Sequence, residues 1–138
     1  MTPSAIAICG LVMWSVFLTL TLISIRVNSI LRDGKAFNQF HSDARDMAEA
    51  GAGVRITRAH ANSLDNLALP IALILLAMAT GNGAITDGLA MAYLGCRVLQ
   101  SVIHMISISN MMIMVRGTFF TAQLVILIIW AVNLYGAA

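Results

Sequence analysis

Charge is what this chain has least of. Only 10% of its 138 residues are Asp, Glu, Lys or Arg, where a soluble domain carries about 25%. That scarcity excludes an ordinary water-facing surface over most of the chain. The net charge of +2 is too small to argue for a nucleic-acid partner. Cysteine is scarce too. Cys9 and Cys96 are the two present, and they match no metal or redox spacing. Both fall in apolar segments and are expected to be buried apolar side chains. No metal site is expected. Low-complexity runs, repeats and a signal-peptidase site are also lacking: "AIAICGLVMWSVFLTLTLISI" is too long for a signal peptide's apolar core and is not closed by a small-residue cleavage motif.

What is present is hydrophobic residue in long runs. They make up 59% of the chain, with a mean hydropathy of +0.88. A membrane-spanning helix needs about 20 apolar residues, and four segments qualify, over about 4–31, 55–80, 84–109 and 116–136. The expected fold is all-α, a single four-helix transmembrane bundle over residues 1–138. The joints are unequal. A hydrophilic loop of about 32–54 separates spans one and two, "TGNGAITDG" joins two and three, and "SNMMIMVRG" joins three and four. Six of the eight basic residues, Arg26, Arg32, Lys35, Arg45, Arg55 and Arg58, lie in or beside the first loop. Arg116 opens span four on the same side, and the joint between spans two and three has only Asp87. The positive-inside rule then places loops one and three in the cytoplasm and both termini outside it. Polar groups inside the spans need a shared interior, which favours an oligomer.

Polar residues in the spans form stripes. Arg55, Arg58, Asn62 and Asp65 are spaced by three, four and three, so they share one helical face over about 15 Å of depth at 1.5 Å per residue. Arginine suits carboxylates by its bidentate fork. Asparagine both donates and accepts, as a peptide bond requires, and aspartate suits an ammonium. Such a face can grip an anionic, peptide-like molecule. The plainer alternative is a snorkelling Arg55 and Arg58 with Asp65 as an internal ion-pair partner. In span three Arg97, Ser101 and His104 form a second stripe, with Gln100 alongside. Arg97 sits where a charge needs a partner, and Asp65 is the obvious one. Arg116, placed at a helix N-terminus, joins its guanidinium to free backbone N–H groups as an anion site, or else is a positive-inside anchor. The nine methionines, including Met111, Met112 and Met114, suit adaptable apolar packing.

The run "RITRAHANSLDN" resembles the signature of the membrane-associated proteins in eicosanoid and glutathione metabolism, the MAPEG family. There an Arg-Ala-His-x-Asn-x-x-Glu run opens the second helix. The likeness extends over the chain: four helices, "GKAF" in a long first loop, an Arg partway along helix three and an Arg opening helix four. It resembles the bacterial type of microsomal glutathione transferase. The resemblance implies a homotrimer in a bacterial inner membrane, with glutathione as co-substrate bound between protomers towards the cytoplasm. The implied activity is transfer of glutathione to lipophilic electrophiles, or peroxidase chemistry, in detoxification. By the same likeness Arg116 is the catalytic residue that stabilises the thiolate. Arg32, Arg58, Asn62, Asp65, Arg97 and His104 bind glutathione, with Asp65 in place of the Glu that holds the γ-glutamyl ammonium. Departures fall at Ala61, Asp65, Gln100, His104, Gly117 and Phe120, and each alters a ligand contact.

Two other classes fit parts of the pattern. One is a non-catalytic interaction subunit that keeps the fold within a larger membrane complex. The other is a transporter or channel subunit whose stripes line a pathway. Crowding of the ionisable residues into one half of the spans argues against the latter.

Overall fold

The computed structural model describes residues 1–34, 51–106 and 109–137. Most of the first loop, including "KAF", Lys35 and Arg45, lies outside the described residues. Among those described, the chain folds into five α-helices: α1 Pro3–Asp33, α2 Ala52–Asp65, α3 Ala68–Ala79, α4 Ala84–Ile106 and α5 Asn110–Gly136. Helices α2 and α3 together make one span, Ala52–Ala79, so four spans are long and apolar enough to cross a membrane. The protein is an all-α, multi-pass membrane protein. Helix α4 lies at the centre, packed on α1, α2 and α5.

Several helix ends are closed by hydrogen bonds, which suits a chain that crosses a bilayer. Helix α1 begins at Pro3, which has no N–H to leave unpaired. The next three N–H groups are all used. Ser4 N–H donates to Asp87 Oδ1 at 3.0 Å, Ala5 N–H to Thr2 Oγ1 at 3.2 Å, and Ile6 N–H to the Thr2 carbonyl at 3.0 Å. Asp87 thus caps α1 from the first turn of α4, and its negative charge meets the positive end of the α1 dipole. Beneath it the Ser4 and Thr86 hydroxyls bond at 2.7 Å in a fully buried spot. At the turn after α3, Gly81 adopts φ 76°, which lets Asn82 N–H reach back to the Ala77 carbonyl at 2.8 Å. Along the spans, hydroxyls bond the carbonyl one turn back: Ser15 to Leu11, Thr19 to Ser15, Thr21 to Phe17 and Ser101 to Arg97. This satisfies each hydroxyl within its own helix.

The inner face of α1 reads Ser4, Ala7, Leu11, Ser15, Leu18, Leu22, a spacing of three and four that keeps one face inward. The core joins Ala7, Leu11, Ile74, Ala90, Tyr93, Ile126 and Trp130. The Tyr93 and Trp130 rings meet at 5.7 Å and 34°. Outward faces are apolar, as lipid contact demands, including Met13, Val16 and Leu20 on α1 and Ile128 and Val132 on α5. Cys9 is a correction to the sequence reading. It lies exposed on the outward face of α1, while Cys96 is half-buried. Position 9 falls out of register with the inward stripe, so its apolar surroundings are those of the outer face.

Two further boundaries differ from expectation. Helix α5 begins at Asn110, because Ser109 caps it by accepting from Met112 N–H at 3.4 Å. Met111 and Met114 then point outward from its first turns. The second span is not continuous. It breaks at Asn66 and Leu67. Pro70 is the cause: it has no N–H for the carbonyl four residues back, which is that of Asn66, and its ring crowds that position. Asn66 repairs part of the break itself, its Nδ2 donating to the Asn62 carbonyl at 3.0 Å.

The Ser4–Thr86 contact gives a direct test. Thr86→Val keeps the shape and removes a hydroxyl that bonds both Ser4 and, at 3.1 Å, the Gly83 carbonyl. It is expected to cost about 1–2 kcal/mol, read as a lowered unfolding midpoint in detergent, with the helical content of the folded state unchanged.

Candidate functional site

The break in the second span fixes a buried cation. The Asn66 carbonyl, deprived of its helical donor by Pro70, accepts from Arg97 Nη2 at 3.4 Å. Arg97 is 2% exposed. Its other bonds run from Nη2 to the Tyr93 hydroxyl at 3.3 Å and from Nη1 to Gln100 Oε1 at 3.4 Å. Its guanidinium carbon stands 6.0 Å from the centre of the Tyr93 ring, within cation–π range. Gln100 Oε1 also accepts from Gln123 Nε2 at 2.7 Å, and Gln123 Nε2 donates to the Phe119 carbonyl at 3.0 Å. A relay of amides therefore crosses from α5 through α4 to the break between α2 and α3. Gln100 and Gln123 are 3% and 1% exposed. Gln123 Oε1 is buried without a partner among the described residues.

Arg97 corrects the sequence reading, which paired it with Asp65. Asp65 ends α2 and faces outward on the protomer, while the neighbouring Asn66 presents its carbonyl inward to Arg97. The residue that meets Arg97 is the first one beyond α2, and it does so with a backbone carbonyl rather than a carboxylate.

Helix α2 is continuous from Ala52 to Asp65, so Arg55, Arg58, Asn62 and Asp65 do share a face. Arg55 Nε donates to the Met105 carbonyl at 2.9 Å, one of the last carbonyls of α4, which have no helical donor. It ties the start of α2 to the end of α4. Arg58 on α2 and Arg116 on α5 lie within electrostatic range of each other and of the His104 ring on α4. His104 Nδ1 is buried without a partner among the described residues. Arg116 is half-buried and stands in the second turn of α5. That overturns the helix-terminus anion site expected there, since Ser109 starts the helix earlier and the backbone N–H of Arg116 lies inside it. Asn62 Oδ1 is met by Asn66 Nδ2 at 3.4 Å. Arg32 is exposed in the last turn of α1, and among the described residues no hydrogen bond ties it to the other predicted residues.

His60, the central residue of the motif, turns to α1. Thr19 gives its hydroxyl proton to the Ser15 carbonyl, so at 3.0 Å from His60 Nε2 its oxygen is the acceptor and Nε2 carries the hydrogen. Four residues of this network were not singled out from sequence as site residues: Asn66, Tyr93, Gln100 and Gln123. Their signals were a Pro four residues after Asn66, a Tyr one turn before Arg97, and two amides in apolar spans.

The model of the MAPEG family matches residues 4–135. The chain belongs to the MAPEG family. No curated protein and no solved structure matches it. MAPEG membership gives the chain a general association with membrane-bound, glutathione-related chemistry.

Because Arg97 serves a carbonyl that Pro70 orphans, the two residues are energetically coupled. Arg97→Met is expected to destabilise less in a Pro70→Ala background, where residue 70 can donate to the Asn66 carbonyl. A coupling of about 1 kcal/mol is expected from a double-mutant cycle on thermal unfolding. Strict additivity would show that the bond carries no weight.

Proposed function

We propose that this MAPEG protein is a glutathione transferase of the bilayer that joins the glutathione thiolate to lipophilic electrophiles, with peroxidase chemistry at the same thiolate as a relative of that reaction. The observation that carries the reading is that Arg58, His104 and Arg116, from three helices, lie within electrostatic range of one another. Two guanidiniums and an imidazole there suit an anionic ligand with carboxylates and a thiol. The protein works as a homotrimer in a bacterial inner membrane, the site facing the cytoplasm between protomers and both termini on the far side. Asp65, outward on one protomer, then faces the ligand in that shared interface rather than lipid.

The thiol of glutathione is mostly protonated at neutral pH, and the thiolate is its reactive form. A guanidinium held against sulfur favours the thiolate by opposite charge. Arg116 performs this task. Arg58 takes a carboxylate, Asn62 the peptide backbone and Asp65 the α-ammonium, with His104 and Arg32 as further contacts. Arg97 acts behind them, shaping the span-two break. The electrophile enters from lipid. The sulfur lone pair forms the S–C bond while the leaving group departs with its electron pair, or, in an addition, the carbanion takes a proton from water. Holding both partners in register supplies much of the rate.

A second reading keeps the fold without the chemistry, as a subunit of a larger membrane complex. Gln100 favours it: this position, where the family often has a ligand-contacting His, is here buried and used up by Arg97 and Gln123.

Calorimetry with glutathione on the detergent-purified protein separates the two. Binding by the parent that is lost in the Arg58→Ala, Asn62→Ala double variant supports the transferase reading. No binding at millimolar glutathione supports the subunit reading. With a model electrophile, Arg116→Ala is expected to lower turnover at least about 100-fold while leaving much of the glutathione affinity. Full activity in that variant would remove Arg116 from its role.

A further inference from the structure

The amide relay behind the site ends one residue from Asp65. Gln123 Nε2 holds Gln100 Oε1 at 2.7 Å, and the same oxygen receives Arg97 Nη1 at 3.4 Å. Arg97 Nη2 reaches the Asn66 carbonyl at 3.4 Å. The order of donors is forced. A guanidinium only donates, so Gln100 must turn its oxygen to it, and Gln123 must then present its nitrogen to that oxygen. Every member is at least nine-tenths buried except Asn66, which is half-buried. Among the described residues all acceptors on Arg97 are neutral. The Asn66 carbonyl is available because Pro70 cannot donate to it, and its capture by Arg97 holds the break in place. The break begins directly after Asp65, the last residue of α2.

We propose that Gln123 and Gln100 are positioning residues that aim Asp65 outward through Arg97, and so determine specificity for thiols bearing a free amino group; this rests on the reading of Asp65 as the ammonium contact. Neither glutamine touches the ligand. Gln123 fixes Gln100, Gln100 fixes Arg97, and Arg97 holds the backbone that carries the carboxylate. The unpartnered Gln123 Oε1 fits this account. A buried acceptor left unpaired is a cost, tolerated where the opposite end of the same amide is needed in one orientation.

The test compares glutathione with its des-amino analogue, glutaryl-cysteinyl-glycine, by calorimetry. An ammonium–carboxylate contact should give the parent about tenfold preference for glutathione, and Asp65→Asn should abolish it. Gln123→Met and Gln100→Met should bring the ratio to within about twofold of unity. Thr86→Val, destabilised at the far end of the bundle, should leave the ratio unchanged, which separates aiming from general loss of stability. A ligand-free arm uses a nitroxide on Asp65→Cys in a Cys9→Ala, Cys96→Ala background in lipid nanodiscs. Its accessibility to dissolved oxygen should shift when Gln123→Met is added. If Asp65→Asn abolishes the preference while both glutamine variants keep it and the nitroxide does not respond, the relay proposal is overturned and the transferase reading survives. If the parent shows no preference, the ammonium reading is overturned, and the nitroxide alone decides whether the relay aims residue 65.

Discussion

A guanidinium buried among neutral acceptors is the constraint around which this bundle is arranged. A charge inside a membrane protein must be met by polar groups of the protein, because lipid offers none. Arg97 is met by a tyrosine hydroxyl, a glutamine oxygen and one backbone carbonyl. The carbonyl is the unusual member. In an unbroken helix it would be committed to the amide four residues on, and Pro70 removes that commitment. The break in the second span and the cation in the third thus supply each other's missing partner.

The same pairing separates two roles within one helical face. The start of α2 is tied to the end of α4 through Arg55 and the Met105 carbonyl. Its middle carries Arg58, within electrostatic range of His104 and Arg116. Its end releases Asp65 to the outside of the protomer. His60, on a different face, is turned to Thr19 of α1 and holds the first two spans together. The motif therefore serves assembly of the bundle as well as the ligand contacts proposed for it.

Much of this was legible in the sequence. Four apolar segments separated by polar joints gave the four spans, because the bilayer sets both the length and the composition of a spanning helix. The stripe of Arg55, Arg58, Asn62 and Asp65 followed from period alone. The partner of Arg97 was not legible in that way. Period places Asp65 on a face but does not say that the helix stops after it. Only Pro70 carried that information, and a proline's effect is felt four residues earlier at a backbone atom, which side-chain patterns do not display. Arg116 was misplaced for a similar reason. The helix start is fixed by Ser109 and its bond to Met112, while the apolar pattern becomes obvious only later. Cys9 shows the limit of reading apolarity as burial when both sides of a helix are apolar.

The cap on α1 has a consequence for how the protein is made. Its first turn is completed by Asp87, 83 residues further along the chain. A chain that enters the bilayer from its N-terminus inserts α1 before that carboxylate has been synthesised. The Ser4 amide must then rely on water or on lipid headgroups until the third span arrives. Seating of the N-terminus is thus a late event in biogenesis, and it reports that the central helix has been inserted in the right direction.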